Sequence, residues 1–177
     1  MDNSYFITSK RLGFSKWKEE YFSLAKKLWG DIRVTGLIDS RGKLSDEQIK
    51  EKLQLEIAND EKYKVQYFPL FLLENNDFIG CCGLRPYDLT KKIYEIGFHL
   101  IPEYWGQGYG AEAAIKIIKF AFEEVSANEL FAGHNPNNHI SGKLLIKLGF
   151  DYIGDEYYAP TGLRHPSYKL TDIQSLT

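Results

Sequence analysis

Apolar residues recur along the chain at two spacings, which separate predicted helices from predicted strands. Steps of three and four residues place side chains on one face of a helix, whereas strict alternation is typical of a strand. The helical spacing occurs in three runs: Trp17, Tyr21, Leu24 and Leu28; Ile49, Leu53 and Ile57; and Ala111, Ile115, Ile118, Phe122 and Val125. Alternation is clearest over Lys92–Ile101, where one face carries Tyr94, Ile96, Phe98 and Leu100 and the other carries Glu95, Gly97, His99 and Ile101.

Capping and turn residues delimit these elements. Ser45 and Gln48 match a capping box, and Asn138 is a favourable N-cap for a helix that runs to Leu148. Strands are predicted over Tyr5–Phe14, Val65–Glu74, Phe78–Arg85, Lys92–Ile101, Glu129–His134, Tyr152–Ala159 and Leu163–Leu170. The order β-α-α-β-β-β-α-β-α-β-β predicts an α/β (α+β) fold with a mixed, largely antiparallel central sheet of about seven strands and about four helices. No linker or repeat divides residues 1–177, so we expect a single domain.

The charge balance and the cysteines narrow the classes of partner. A net charge of −2 offers no basic excess for nucleic acid, and no run is apolar enough to cross a membrane. Met1–Lys10 lacks the apolar core of a signal peptide, and the adjacent Cys81 and Cys82 would point to opposite faces of a strand. We therefore expect a cytoplasmic protein with reduced cysteines. The four histidines and two cysteines show no metal-ligand spacing.

A glycine-rich turn, Trp105-Gly106-Gln107-Gly108-Tyr109-Gly110-Ala111-Glu112, leads from the alternating strand into the best helix. Unpaired backbone N–H groups and the helix dipole make such a turn a binding site for anions, phosphate above all. The dinucleotide fingerprint also fits Gly106, Gly108 and Ala111, but four residues separate the first glycine from its strand and the next strand does not end in an acidic residue. No Gly-Lys-Ser/Thr follows, which excludes a P-loop, and a plain tight turn is the remaining alternative.

Several spaced motifs, in order along the chain, resemble the GNAT N-acetyltransferase superfamily, and more narrowly the branch of the ribosomal-protein-alanine N-acetyltransferases. They are Ser9-Lys10-Arg11-Leu12, Glu95-Ile96-Gly97-Phe98, the glycine turn through Ala113, Asn138-His139-Ile140-Ser141 and Lys147-Leu148-Gly149-Phe150. The usual Gln or Arg that leads the glycine motif is replaced by Trp105, as it often is in this branch.

The resemblance implies acetyl-CoA as the donor of an acetyl group. Its pyrophosphate would bind the backbone amides of Gln107, Gly108, Tyr109, Gly110 and Ala111, in agreement with the anion site derived from the turn itself. Its pantetheine arm would pair, like an added strand, with the backbone of Phe98, His99 and Leu100, and would accept a hydrogen bond from Asn138.

Transfer to an amine needs a base, donors for the oxyanion and a proton for the leaving thiolate. Glu95 is the first candidate base, because it shares a strand face with Gly97, which would leave room for a substrate. His99 and His134 are the alternative bases or helpers. The tyrosine that serves as acid in much of the superfamily is replaced by Leu145, so Ser141 or water would protonate the thiolate.

The sequence predicts an acetyl-CoA-dependent N-acetyltransferase whose acceptor is a protein N-terminus or a small amine, such as a polyamine or an aminoglycoside. A catalytically idle acyl-CoA-binding module, used for sensing or for interaction, is the alternative. Neither nucleic acid nor membrane is an expected partner, and the chain could form a homodimer.

Overall fold

The computed structural model describes residues 4–173. Within them the chain forms eight strands, five α-helices and two short 3₁₀ helices, at Glu19–Tyr21 and Pro102–Tyr104. The strands are β1 (Ile7–Thr8), β2 (Leu12–Phe14), β3 (Tyr67–Leu72), β4 (Phe78–Asp88), β5 (Ile93–Leu100), β6 (Glu129–Gly133), β7 (Asp151–Tyr158) and β8 (Leu163–Leu170). The helices are α1 (Phe22–Trp29), α2 (Ile32–Thr35), α3 (Asp46–Tyr63), α4 (Tyr109–Glu123) and α5 (His139–Lys147).

All eight described strands belong to one sheet, in the order β1-β2-β3-β4-β5-β6-β8-β7. Every neighbouring pair is antiparallel except β5 and β6, which run parallel. The parallel pair arises because α4 carries the chain back across the sheet between these two strands. The predicted mixed, largely antiparallel fold is therefore confirmed.

The sheet separates two apolar cores. On one side α4 and α5 cover Ile96 and Leu100 of β5, and on the other α1 and α3 cover the side chains of Phe71, Phe78 and Cys81. Burial of Ile96 and Leu100 against α4 confirms the predicted alternation along β5, which directs Glu95, Gly97 and His99 to the opposite side. We call these the α4 side and the α3 side.

Three details near the N-terminus differ from the sequence prediction. The expected first strand is interrupted at Ser9–Arg11, where Ser9 N donates to Leu12 O and the Ser9 hydroxyl accepts from Leu12 N, so two short strands form a hairpin. The first helix begins at Phe22, after the 3₁₀ segment, rather than at Trp17. Asp31 caps α2, a helix of one turn that apolar spacing alone did not indicate.

The capping predictions for α3 and α5 are confirmed. Ser45 and Gln48 exchange backbone and side-chain hydrogen bonds in a capping box, and Asn138 Oδ1 accepts from Ser141 N at 3.3 Å. Both described cysteines are buried with free thiols. Among the described helices, none is both long and apolar enough to span a bilayer.

Candidate active site

The glycine turn is exposed and has the backbone conformation that an anion site requires. Gly106 and Gly108 adopt positive φ values of 73° and 81°, which favour glycine, and Gly108 is the N-cap of α4. The first backbone bond into the helix runs from Glu112 N to Gly108 O. The amides of Tyr109, Gly110 and Ala111 therefore precede it, and they donate to no described residue. The turn offers free N–H groups at the positive end of a fifteen-residue helix.

Arg11 fastens this turn to the N-terminal hairpin. Its Nη1 donates to Gln107 O at 3.1 Å, and its Nε donates to the Glu112 carboxylate at 2.7 Å. The guanidinium also lies over the Tyr109 ring, 4.2 Å from the centroid. Burial acts to raise the pKa of Glu112, but hydrogen bonds from Ser9 and Arg11 outweigh it and lower that pKa. Arg11 thus orders the turn and places a partly exposed positive charge beside it.

Trp105 fastens the turn on its other side. The indole Nε1 donates to Leu100 O at 2.8 Å, so the residue that departs from the common pattern ties the turn to the end of β5. The Gln107 side chain folds back and donates to Glu103 O at 3.0 Å. The Gln107 side chain is therefore engaged within the turn.

Beyond the turn, β5 and β6 diverge. They pair only from Ile93–Glu129 to Glu95–Phe131, whereas β5 continues to Leu100 and β6 to Gly133. The edge of β5 from Ile96 to Leu100 that faces β6 has no strand partner among the described residues. A free strand edge of this kind can pair with an extended ligand, so the edge predicted over Phe98–Leu100 is present.

A cavity of about 330 Å³ occupies the gap between the two strands. Phe98, Asn138 and Ser141 line it on the α4 side, and Glu95 and His99 line it on the α3 side. The structure therefore brings together the strand, the helix start and the candidate catalytic residues Glu95, His99 and Ser141, although Ser141 is more than forty residues beyond the other two in the sequence.

At the start of α5, which borders the cavity, the helix backbone packs closely against the ring of His134. His134 Nδ1 donates to Asn135 O at 2.8 Å, and its Nε2 lies within hydrogen-bond distance, 3.3 Å, of the Tyr168 hydroxyl. A Cβ at Gly142 would lie 2.7 Å from His134 Nε2, so glycine is needed where α5 passes over this ring. Both ring nitrogens of His134 are thus engaged, which disfavours His134 as the base.

Glu95 is a half-buried carboxylate that lines the cavity and accepts no hydrogen bond from a described residue. Burial raises its pKa above the ordinary value, and the nearby charges of Arg85 and Lys52 act in the opposite direction. An unpaired carboxylate with a raised pKa is suited to proton transfer near neutral pH.

His99 is held as a neutral ring. Burial lowers its pKa well below the usual range, and Lys52 and Arg85 lower it further. Its Nδ1 accepts from Trp29 Nε1 at 3.2 Å, because an indole N–H can only donate. The ring proton therefore lies on Nε2, which leaves His99 no free lone pair with which to act as a base.

The space beside Gly97 is filled, contrary to the sequence expectation. A Cβ at Gly97 would overlap the hydroxyl of Tyr67, whose ring extends from β3 across the glycines of β4 and β5. Gly97 therefore makes room for Tyr67 rather than for a substrate. Burial raises the pKa of the Tyr67 phenol well above its usual range, so it stays protonated, and it lines the cavity.

Sequence reasoning missed the charged groups behind Tyr67. Glu56 of α3 is fully buried, where it accepts from Tyr67 N at 2.8 Å and binds the Arg85 guanidinium. Arg85 lies over the Tyr67 ring, 4.0 Å from the centroid, and directly opposite Glu95 in the sheet register. One signal was available: Glu56 is three residues after Leu53 and so lies within the predicted apolar stripe of α3.

The described residues contain no group of three or more His, Cys, Asp or Glu side chains placed to hold a metal ion.

The chain matches the acetyltransferase (GNAT) domain family over residues 11–151. It is 29% identical over 150 residues to a protein of Bacillus licheniformis named Uncharacterized N-acetyltransferase p20, across 84% of this chain and 83% of that protein. Its fold is similar to a GNAT-family acetyltransferase from Bacillus anthracis, with a TM-score of 0.79 and 22% identity over 93% of this chain and 97% of the other.

A second solved structure is RimL, a ribosomal L7/L12 alpha-N-protein acetyltransferase in complex with coenzyme A. Its TM-score is 0.80 at 15% identity, over 95% of this chain and 98% of RimL. Fold and family define this protein as an acyltransferase. More particularly, the chain belongs to the GNAT family of acetyltransferases, whose members use acetyl-CoA as the donor.

Proposed function

We propose that this protein transfers the acetyl group of acetyl-CoA to a primary amine, by direct attack of the amine on the thioester. The proposal rests on one observation, that three features of the site lie next to one another in a continuous path. Free amides at the start of α4 lead to the free edge of β5, and that edge opens into the cavity that contains Glu95.

The residues present fit this donor. A Cβ at Gly106 would have no atom within 4 Å, so the turn has open space for a diphosphate, which the amides of Gln107 to Ala111 would bind. The edge over Phe98–Leu100 and the side chain of Asn138 would hold the pantetheine arm. Acetyl-CoA supplies an acetyl thioester, a reactive acyl group with a good leaving thiolate.

In the proposed mechanism Glu95 accepts a proton from the acceptor amine, directly or through water, as the nitrogen forms its bond to the acyl carbon. A backbone N–H of the Phe98–Leu100 edge polarises the carbonyl and stabilises the developing oxyanion. The bond to sulfur then breaks, and the hydroxyl of Ser141 or a water molecule protonates the thiolate. His99 accepts a hydrogen bond from Trp29 and so holds this ring in place on the α3 side of the cavity.

The acceptor is a small-molecule amine or a protein N-terminus, and the expected compartment is the cytoplasm, where the free thiols of Cys81 and Cys82 would stay reduced. Localisation by fractionation would test the second expectation. A homodimer remains a prediction that light scattering would test.

The test is release of free CoA thiol over a panel of amines and N-terminal peptides, combined with calorimetric titration of acetyl-CoA. We expect binding together with turnover on at least one class of acceptor. Binding without turnover on any acceptor would favour the idle acyl-CoA-binding module. Absence of binding would reject both functions.

A further inference from the structure

A lysine on the α3 side of the cavity has no partner of opposite charge. Lys52 lines the cavity, and its Nζ lies 5.3 Å from the centroid of the buried Trp29 ring. Among the described residues it forms no ion pair and no hydrogen bond. Burial, and then the nearby Arg85, lower the pKa of Lys52 to about 8, although the charges of Glu56 and Asp39 act in the opposite direction, so the side chain is still mainly cationic at neutral pH. An unpaired ammonium in a cavity is costly unless a ligand compensates it.

Arg85 is a second cation with unused donors. Glu56 binds one of its terminal nitrogens, while Nε is buried and donates to no described residue. The side chain is 20% exposed and lines the same cavity as Lys52. A guanidinium has five N–H donors, so one carboxylate partner leaves capacity for a second.

The charges on the α3 side indicate what the cavity can accept. Glu56 and Arg85 compensate each other, and Asp39, whose charge also acts on Lys52, is paired with Arg41. Glu95 and Lys52 remain as a negative and a positive group on one cavity, and the charge of Lys52 acts on the Glu95 carboxylate. Glu156 also lines the cavity, but its side chain is exposed and accepts from the Tyr87 hydroxyl, so solvent screens it. A ligand with an ammonium and an anionic group would match this pair, whereas a polycation would add uncompensated positive charge beside Lys52.

Two further segments border the cavity on the α3 side. Leu37 and Ile38, after α2, line it together with Tyr157 and Tyr158 of β7. These two segments are joined, because Ser40 N donates to Pro160 O at 2.7 Å. A volume of about 330 Å³ has room for the end of the donor beside a compact acceptor.

We propose that the acceptor of this enzyme is a small amine that also carries a carboxylate, and that Lys52 and Arg85 bind the carboxylate while Glu95 faces the amine. The inference rests on the function proposed above and narrows its acceptor. It favours amino acids and related compounds over polyamines, aminoglycosides and protein N-termini.

The experiment compares acceptors that differ only at the end remote from the reacting amine. 5-Aminopentanoate, 5-aminopentanamide and 1,5-diaminopentane present an anionic, a neutral and a cationic group, and shorter and longer chains with the same three ends are included. Thiol release gives kcat/KM for each. We expect the carboxylate to exceed both others by about tenfold or more, the usual effect of a charged hydrogen bond.

Variants assign that preference to Lys52. Lys52→Met keeps the aliphatic stem and should lower kcat/KM for the carboxylate acceptor about tenfold more than for the carboxamide. Lys52→Arg should restore the preference, and Lys50→Gln, at an exposed position on the same helix, should leave it unchanged. Melting temperature and acetyl-CoA affinity of each variant show whether the fold is intact.

The outcomes separate this inference from the proposed function. Turnover that favours the amide, the diamine or an N-terminal peptide would overturn the inference and leave the transferase function standing. Equal loss on all acceptors in Lys52→Met, with the fold intact, would also overturn it. A failure to acetylate any amine would reject the function itself.

Discussion

Glu95 and Arg85 lie opposite each other on β5 and β4, so the charge of Arg85 acts directly on the Glu95 carboxylate, the proposed base. Burial raises the Glu95 pKa, while the charge of Arg85 limits the rise. Glu95 is therefore ionised, and competent to accept a proton, only above a pKa that is higher than that of a free glutamate.

We expect kcat/KM to rise with pH through this raised pKa, because protonated Glu95 cannot act as a base. Glu95→Gln should abolish this rise of kcat/KM with pH and lower kcat/KM at neutral pH by about a hundredfold or more. The loss should be smaller at high pH, where the acceptor amine is already neutral. The pH profile of thiol release measures both. Glu124→Gln, at an exposed site, serves as control, and an equal loss at all pH values would assign Glu95 a structural role.

Arg11 is a single residue that holds the glycine turn, where acetyl-CoA is proposed to bind. It holds Gln107 O and Glu112, so Arg11→Met should loosen the glycine turn and raise KM for acetyl-CoA about tenfold, with a smaller change in kcat. Lys10→Met is the matched control, since Lys10 is exposed and adjacent. A fall in kcat at unchanged KM would contradict this role of Arg11.

Individual side chains also show where sequence reasoning succeeds. The strand period alone put Glu95 and His99 on one face of β5, and this is correct. The roles of Lys52, Glu56 and Arg85 depend on which face of α3 packs against which strand, and no local spacing contains that information. The prediction that Gly97 leaves room for a substrate was wrong for the same reason, because the space is filled by Tyr67, which lies on a strand thirty residues earlier in the chain.

At the scale of elements, glycines fix the distances between strands. A Cβ at Gly83 of β4 would overlap the backbone carbonyl of Gln66, which accepts a hydrogen bond from Leu84 N. That carbonyl cannot move away without breaking the register of β3 and β4, so glycine is required at this position.

Gly83→Ala should therefore destabilise the protein by about 3 kcal/mol, at the upper end for overpacking. Gly133→Ala provides the comparison, because a Cβ there would meet no atom closer than 3.8 Å, and its effect should stay within about 1 kcal/mol. Urea unfolding monitored by circular dichroism measures both. Similar stabilities for the two variants would show that β3 can shift.

Elements with strong local signals were predicted best. The capping box of α3, the Asn138 cap of α5 and the alternation of β5 each depend on a few neighbouring residues, and each is confirmed. The break between β1 and β2 and the single turn of α2 are too short to produce a period. The break is also held by a contact between distant residues, Arg11 with Glu112, that local spacing does not encode.

At the scale of the molecule, the candidate donor site lies where the parallel pair of the sheet, β5 and β6, separates. β5 and β6 share only three residue pairs, and beyond them the β6-β8-β7 part and the β1–β5 part diverge around the cavity. A ligand that pairs with β5 and contacts the start of α5 would bridge both parts. Binding there should stabilise the whole fold, because ligand affinity for the native state adds to its stability.

Acetyl-CoA at about a hundred times its Kd should add about 2.7 kcal/mol, which for a chain of this length raises the Tm by roughly 5–10 °C. Acetyl-pantetheine lacks the diphosphate and should give a smaller shift at the same concentration, because it leaves the amides at the start of α4 unbound. Scanning fluorimetry measures both shifts, and hydrogen exchange should show added protection on β5 and α5 together. Equal Tm shifts from the two ligands would show that the glycine turn does not bind the diphosphate. Protection of β5 alone in hydrogen exchange would show that the ligand does not bridge the two parts of the sheet.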